Sequence, residues 1–166
     1  MAVTQQLARV TREHLAACSR SVDLLDRLCS FDGPDEDYLD LNWAPRYIAR
    51  ALTLSGSPAA EFALLDLAWA GAYEVNPSYR EPFLPVMEAP RAIGPDDVPA
   101  VARRLASIDI NHTARAISTD PAQAERELGF EAPTDPRGYI ADHFHALRDF
   151  YVEAAGRRLA VVVWSD

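Results

Sequence analysis

One stretch constrains the fold more than any other: a helical pattern over 136–155 that runs into a continuous apolar block over 159–164. Ile140, Phe144, Leu147, Tyr151 and Ala155 step by three or four residues, which places them on one face of a helix. Gly156 follows, where a left-handed C-terminal stop is expected. Leu159-Ala160-Val161-Val162-Val163-Trp164 shows no polar alternation, the pattern of a central strand covered on both faces. The chain therefore reads as α+β, with several helices packed on a small sheet that includes this strand.

The remaining elements follow from caps and spacing. Residues 3–10 fit a strand, with Thr11 as N-cap of a helix over 12–18, although Leu7, Val10, His14, Leu15 and Cys18 also fit one helix starting near Gln5. Ser21 opens a helix through Ser30. The loop that follows carries Asp32, Asp35, Glu36, Asp37 and Asp40. A helix over 42–54 is expected next, with Pro45 in its first turn, where a missing N–H costs little. Ser57-Pro58, Asp120-Pro121 and Asp135-Pro136 repeat one device, a capping residue followed by proline, and open helices over 58–73, 121–128 and 136–155. Gly94-Pro95-Asp96-Asp97 starts another helix, with Val98, Val101, Leu105 and Ile108 as its apolar stripe. Residues 76–90 hold prolines at 77, 82, 85 and 90 and read as irregular.

Several blocks resemble the YfbM-like family of bacterial proteins, whose molecular function is not established. Arg9-Val10-Thr11 with His14-Leu15 resembles the family's opening strand and helix, which favours a strand over 3–10. Leu39-Asp40-Leu41-Asn42 resembles the start of its next helix, and Arg91-Ala92-Ile93-Gly94-Pro95-Asp96-Asp97-Val98 is similar to a later segment. The strongest match is Phe150-Tyr151-Val152-Glu153-Ala154-Ala155-Gly156 with the apolar block after it. The resemblance implies one α+β domain over 1–166. Two departures stand out: Ala2-Val3-Thr4-Gln5-Gln6 replaces the family's glycines, and Pro45-Arg46 stands where the family typically has a tryptophan-histidine pair.

Composition narrows the function classes. A chain of 166 residues with 49% hydrophobic and 25% charged residues is long enough for a hydrophobic core and ordinary for a globular protein. No apolar run approaches the roughly 20 residues of a membrane span, and 1–10 lacks the basic and apolar regions of a signal peptide. A cytoplasmic protein is the expectation, with Cys18 and Cys29 as free buried thiols. The net charge of −9 argues against nucleic acid or anionic membrane as a partner and is compatible with a basic protein partner. Every basic residue is arginine, a composition that codon bias explains as well as chemistry does.

No catalytic residue, metal ligand set or cofactor motif is read. His143 and His145 lie two apart on a helix and point about 200° from each other, so they cannot share a metal. His145 reaches Asp149 at i+4, the spacing of a surface ion pair. The acidic loop lacks the alternating pattern of a calcium loop and reads as solvated. Nucleophile elbows, phosphate loops and dinucleotide glycine motifs are absent.

The candidate binding residues are Trp43, Arg46, Arg50, Arg91, His112 and His143. Trp43, Arg46 and Arg50 sit at helical spacing and are of the types enriched in binding hot spots, while a core-edge tryptophan with solvated arginines is the plainer alternative. The preferred reading is a non-catalytic interaction or accessory protein with an acidic surface. The alternative is a small-molecule binder or enzyme whose site lies between the helices and the sheet edge, with Arg46, Arg91, His112 and His143 as its polar groups. A subunit of a homo-oligomer is a third reading.

Overall fold

The computed structural model describes residues 4–79 and 88–166. Among these residues lie strands β1 (Gln5–Val10), β2 (Tyr38–Asn42), β3 (Tyr73–Glu74), β4 (Arg91–Ile93) and β5 (Ala160–Ser165). The helices are α1 (Arg12–Cys18), α2 (Val22–Cys29), α3 (Ala44–Ser55), α4 (Ala59–Ala70), α5 (Val98–Leu105), α6 (Ile110–Ala114), α7 (Pro121–Leu128) and α8 (Pro136–Gly156). The strands form one sheet in the order β2-β1-β5-β4-β3, and every pairing is antiparallel. The fold is α+β.

The apolar block is the centre of the sheet because both of its faces are covered. Val161 and Val163, with Leu7 and Ile93, face a core built with α3 to α8. Ala160, Val162 and Trp164, with Ala8, Val10 and Ala92, face a second core under α1 and α2. Each fully buried valine in this layer contributes about 1.5–3 kcal/mol relative to exposure. The tight strand-to-helix junction at Thr11 is set by its side chain, which accepts from the His14 backbone N–H at 3.1 Å. Ser21, Asp120 and Asp135 cap α2, α7 and α8 in the same way.

Four expectations are corrected. Residues 38–42 form the edge strand β2 rather than a helix start, because Leu39 and Tyr38 pair with Leu7 and Ala8. Gly156 stays inside α8, and the left-handed turn falls on Arg158 at φ 56°. Ser57 bonds the Ser55 hydroxyl instead of capping α4, which starts after Pro58 and ends at Ala70. Asp149 pairs with its neighbour Arg148 at 2.8 Å, not with His145. Strands β3 and β4 and helix α6 were not expected from the sequence, and the expected irregular stretch over 76–90 lies partly outside the described residues. Cys18 is buried and Cys29 half-buried, and among the described residues neither forms a disulfide.

Candidate functional site

Trp43 is positioned by the turn from β2 into α3. Asp40 Oδ1 accepts from the Asn42 backbone N–H at 2.6 Å, and Asn42 adopts the left-handed region at φ 52°. Asparagine tolerates that conformation better than bulkier residues do. The turn leaves Trp43 37% exposed at the N-terminus of α3, an unusual place for so large an apolar ring.

Arg46, one turn further on, folds back onto the rings. Its guanidinium lies 4.4 Å from the Trp43 ring centroid, 4.4 Å from that of Phe130 and 5.1 Å from that of Tyr47. Each such stack is worth about 0.5–1 kcal/mol at an exposed position. Tyr47 packs edge-on against Phe130 and Tyr139, and its hydroxyl donates to the Glu131 carbonyl at 2.7 Å. On α8, His143 lies with its ring centroid 4.0 Å from that of Tyr139, and its Nδ1 is 2.8 Å from the Tyr139 carbonyl oxygen. Burial pushes the Tyr139 hydroxyl pKa up, while a hydrogen bond with the Trp43 backbone opposes that rise. The phenol stays neutral at physiological pH.

Of these residues Trp43, Tyr47 and Tyr139 line a shallow cavity of about 370 Å³, together with Glu131 and Pro133. Its volume falls in the range of small-molecule pockets. Two exposed acidic residues belong to this region: Glu131 lines the cavity, and the charge of Asp40 adds to the upward push on the Tyr139 phenol. Electron-rich ring faces attract a cation, and Arg46 already shows how a guanidinium lies on them.

The other sequence candidates serve elsewhere. Arg50, half-buried, donates from Nε to the Glu127 carbonyl at 2.7 Å and ties α3 to α7. Arg91 donates from Nη2 to the Ala72 carbonyl at 2.8 Å, behind a close approach that only glycine permits at Gly71. His112 is exposed on α6, where its backbone N–H closes the Asp109 cap at 3.0 Å. Among the described residues no hydrogen bond or ring contact joins Arg91 or His112 to the aromatic cluster. Trp43, Arg46 and His143 are thus brought together, and Arg50, Arg91 and His112 are not.

Sequence reading missed Tyr47, Phe130, Glu131 and Tyr139. One signal was available: Tyr139 precedes His143 by four residues on a helix, which puts their rings on one face. The acidic loop is exposed at Asp32, Asp35, Glu36 and Asp40, as expected, and departs from a solvated patch only at the half-buried Asp37. Asp32 pairs with Arg27 at 2.6 Å, and Asp37 is enclosed by Arg9 and Arg157. Among the described residues no cluster of His, Cys, Asp and Glu is placed to hold a metal ion, and no helix is long and apolar enough to cross a membrane.

No family model matches the chain, and no curated protein sequence does. Among solved structures it is similar to the crystal structure of a protein of unknown function, YfbM from Escherichia coli. That match has a TM-score of 0.64 and 16% sequence identity, and it covers 98% of this chain and 99% of the other. A likeness of that extent at that identity is one of fold. The chain therefore has the YfbM-like fold.

Proposed function

We propose that this chain is a single-domain, cytoplasmic, non-catalytic binding protein that docks a basic protein partner through the face around Trp43. The observation that carries this reading is the open cavity lined by Trp43, Tyr47, Tyr139 and the acidic residue Glu131, with the charge of Asp40 acting on Tyr139. A lysine or arginine of the partner fits there by the same ring contact that holds Arg46, with a carboxylate beside it to match its charge. The net charge of −9 would steer such a partner toward the surface and raise the association rate. Aromatic anchors of this kind dominate binding energies even where the surrounding contacts add little.

The test is affinity capture from the native host at low salt, comparing the tagged wild-type protein with Trp43→Ala and Glu131→Gln variants. The reading expects a stoichiometric basic partner that is lost at high salt and lost with Trp43→Ala. A partner retained in full by both variants contradicts it. A second reading, a small-molecule site, is favoured by the cavity's volume of about 370 Å³. It predicts that metabolite screening, rather than protein capture, finds a ligand that depends on Tyr139 and Trp43.

A further inference from the structure

A second cleft, away from the Trp43 face, opens where α1 begins, beside the turn into α5 and the turn from α8 into β5. It has a volume of about 690 Å³, and Thr11, Arg12, Arg157, Arg158, Pro95 and Pro99 are among the residues that line it. We propose that this cleft binds a small oxyanionic molecule, one bearing phosphate or carboxylate groups, with Arg158 as its principal charged contact.

Three observations carry the assignment. Arg158 adopts φ 56°, a conformation in which an L side chain is strained and glycine is the cheap choice. The chain has Gly156 two residues earlier, inside the helix, yet places arginine at the strained position that borders the cleft. Strain of this kind is retained where the side chain is needed. Among the described residues the Arg158 side chain has no hydrogen bond or ion pair, so its charge is uncompensated.

The neighbours add donors, and the two acidic residues of the lining are Glu13 and Asp96, of which Asp96 is already paired with Arg12. Arg12 gives only Nη2 to Asp96, at 2.7 Å, leaving Nε and Nη1 available. Arg157 uses Nη1 and Nη2 on Asp37 and Glu153 and keeps Nε. Thr11 accepts a backbone hydrogen bond through Oγ1, and its own hydroxyl proton remains free to donate. Guanidinium forks match both carboxylate and phosphate geometry. Leu159, Pro95 and Pro99 supply apolar surface for the body of the molecule, and Glu13 can accept from its hydroxyl groups. The cleft's size is that of a small-molecule pocket, larger than a bare phosphate requires. Three guanidinium groups against two carboxylates, Glu13 and Asp96, leave the lining net positive on a chain of net charge −9.

The experiment measures thermal shift and titration calorimetry with pyrophosphate and with citrate, against sodium chloride at matched ionic strength. The proteins are wild type, Arg158→Gln and Arg158→Gly. The expected result is stabilisation of the wild type by at least one anion beyond the salt control, with affinity falling about tenfold or more in both variants. Arg158→Gly should at the same time raise the melting temperature of the free protein by about 2–4 °C, because it relieves the left-handed strain. A stronger response to pyrophosphate assigns the phosphate class, and a stronger response to citrate the carboxylate class. The proposal is overturned if neither anion exceeds the salt control on the wild type, or if both variants bind as the wild type does. The Trp43 face plays no part in this test, so either proposal can fail alone.

Discussion

Arg9 on β1 and Glu153 on α8 are joined by an ion pair of 2.5 Å between Nη1 and Oε2, which fastens the sheet to the long helix. Arg9 is buried, with its guanidinium 4.6 Å from the Phe150 ring centroid and Nε 3.2 Å from Asp37 Oδ1. The Nε contact lacks hydrogen-bond geometry and acts as a charge contact. Arg157 closes the set from outside, at 2.6 Å from Asp37 and 3.1 Å from Glu153. A buried arginine is tolerated here because two carboxylates and the Glu36 carbonyl surround it.

Removing Asp37 strips the buried guanidinium of one of its two acids. Asp37→Asn should destabilise the protein by about 1–3 kcal/mol. Asp35→Asn, on the exposed part of the same turn, should stay within about 0.5 kcal/mol. Urea unfolding of the two variants checks the contrast.

The same network fixes a pH dependence. Hydrogen bonds from Arg9 and then Arg157 hold the Glu153 carboxyl below its ordinary value of 4.5. A group whose folded pKa is depressed adds stability that is fully present above its unfolded value and is lost as pH falls through the folded one. The stability gap between wild type and Glu153→Gln should therefore be constant from pH 7 to about pH 5.5 and shrink below about pH 4.5. Chemical unfolding across that range reads it directly. A gap that widened on acidification would assign the wrong sign to this contact.

Two helical glycines should respond oppositely to alanine. A Cβ at Gly156 meets nothing within 4 Å, so Gly156→Ala should stabilise by about 0.5–1 kcal/mol. At Gly138 a Cβ would fall 2.2 Å from Asp135 Oδ2, the carboxylate that caps α8. Gly138→Ala displaces that cap, worth about 1 kcal/mol, and should show no net gain. Thermal unfolding of the pair separates the cases.

Two tyrosines make a similar contrast. Tyr47 donates to the Glu131 carbonyl, so Tyr47→Phe should cost about 1 kcal/mol. The Tyr38 hydroxyl is buried with no hydrogen-bond partner among the described residues. Tyr38→Phe should be neutral or stabilising by up to about 1 kcal/mol, because no bond is lost and a desolvated polar group is removed. Denaturant midpoints at constant slope would show it.

What the sequence makes legible here follows from how local each signal is. Thr11, Ser21, Asp120 and Asp135 cap helices through bonds only three residues long, so short motifs reveal them. The run Ala160 to Trp164 announces a doubly covered strand because both faces must be apolar at once. Strand β2 was hidden, since Tyr38 to Asn42 is an edge strand whose Asp40 faces solvent and breaks the apolar pattern. Strand β3 is a two-residue pairing and carries no pattern of its own. Gly156 misled because glycine marks left-handed turns only as a tendency, and here Arg158 takes the turn. At the ring cavity, Trp43 and Arg46 were visible through helical spacing. Phe130 and Glu131 come from a distant segment that only the tertiary fold brings to Tyr47.

The most direct measurement is a two-dimensional NMR titration of the protein with an arginine-rich peptide at low salt, following the Trp43 indole N–H and the backbone from 40 to 47. The docking account predicts that the largest shifts fall on Trp43, Tyr47, Glu131 and Tyr139, saturate with peptide, and vanish in Trp43→Ala. Shifts spread evenly over the acidic surface, or concentrated away from Trp43 and unchanged in that variant, would contradict it.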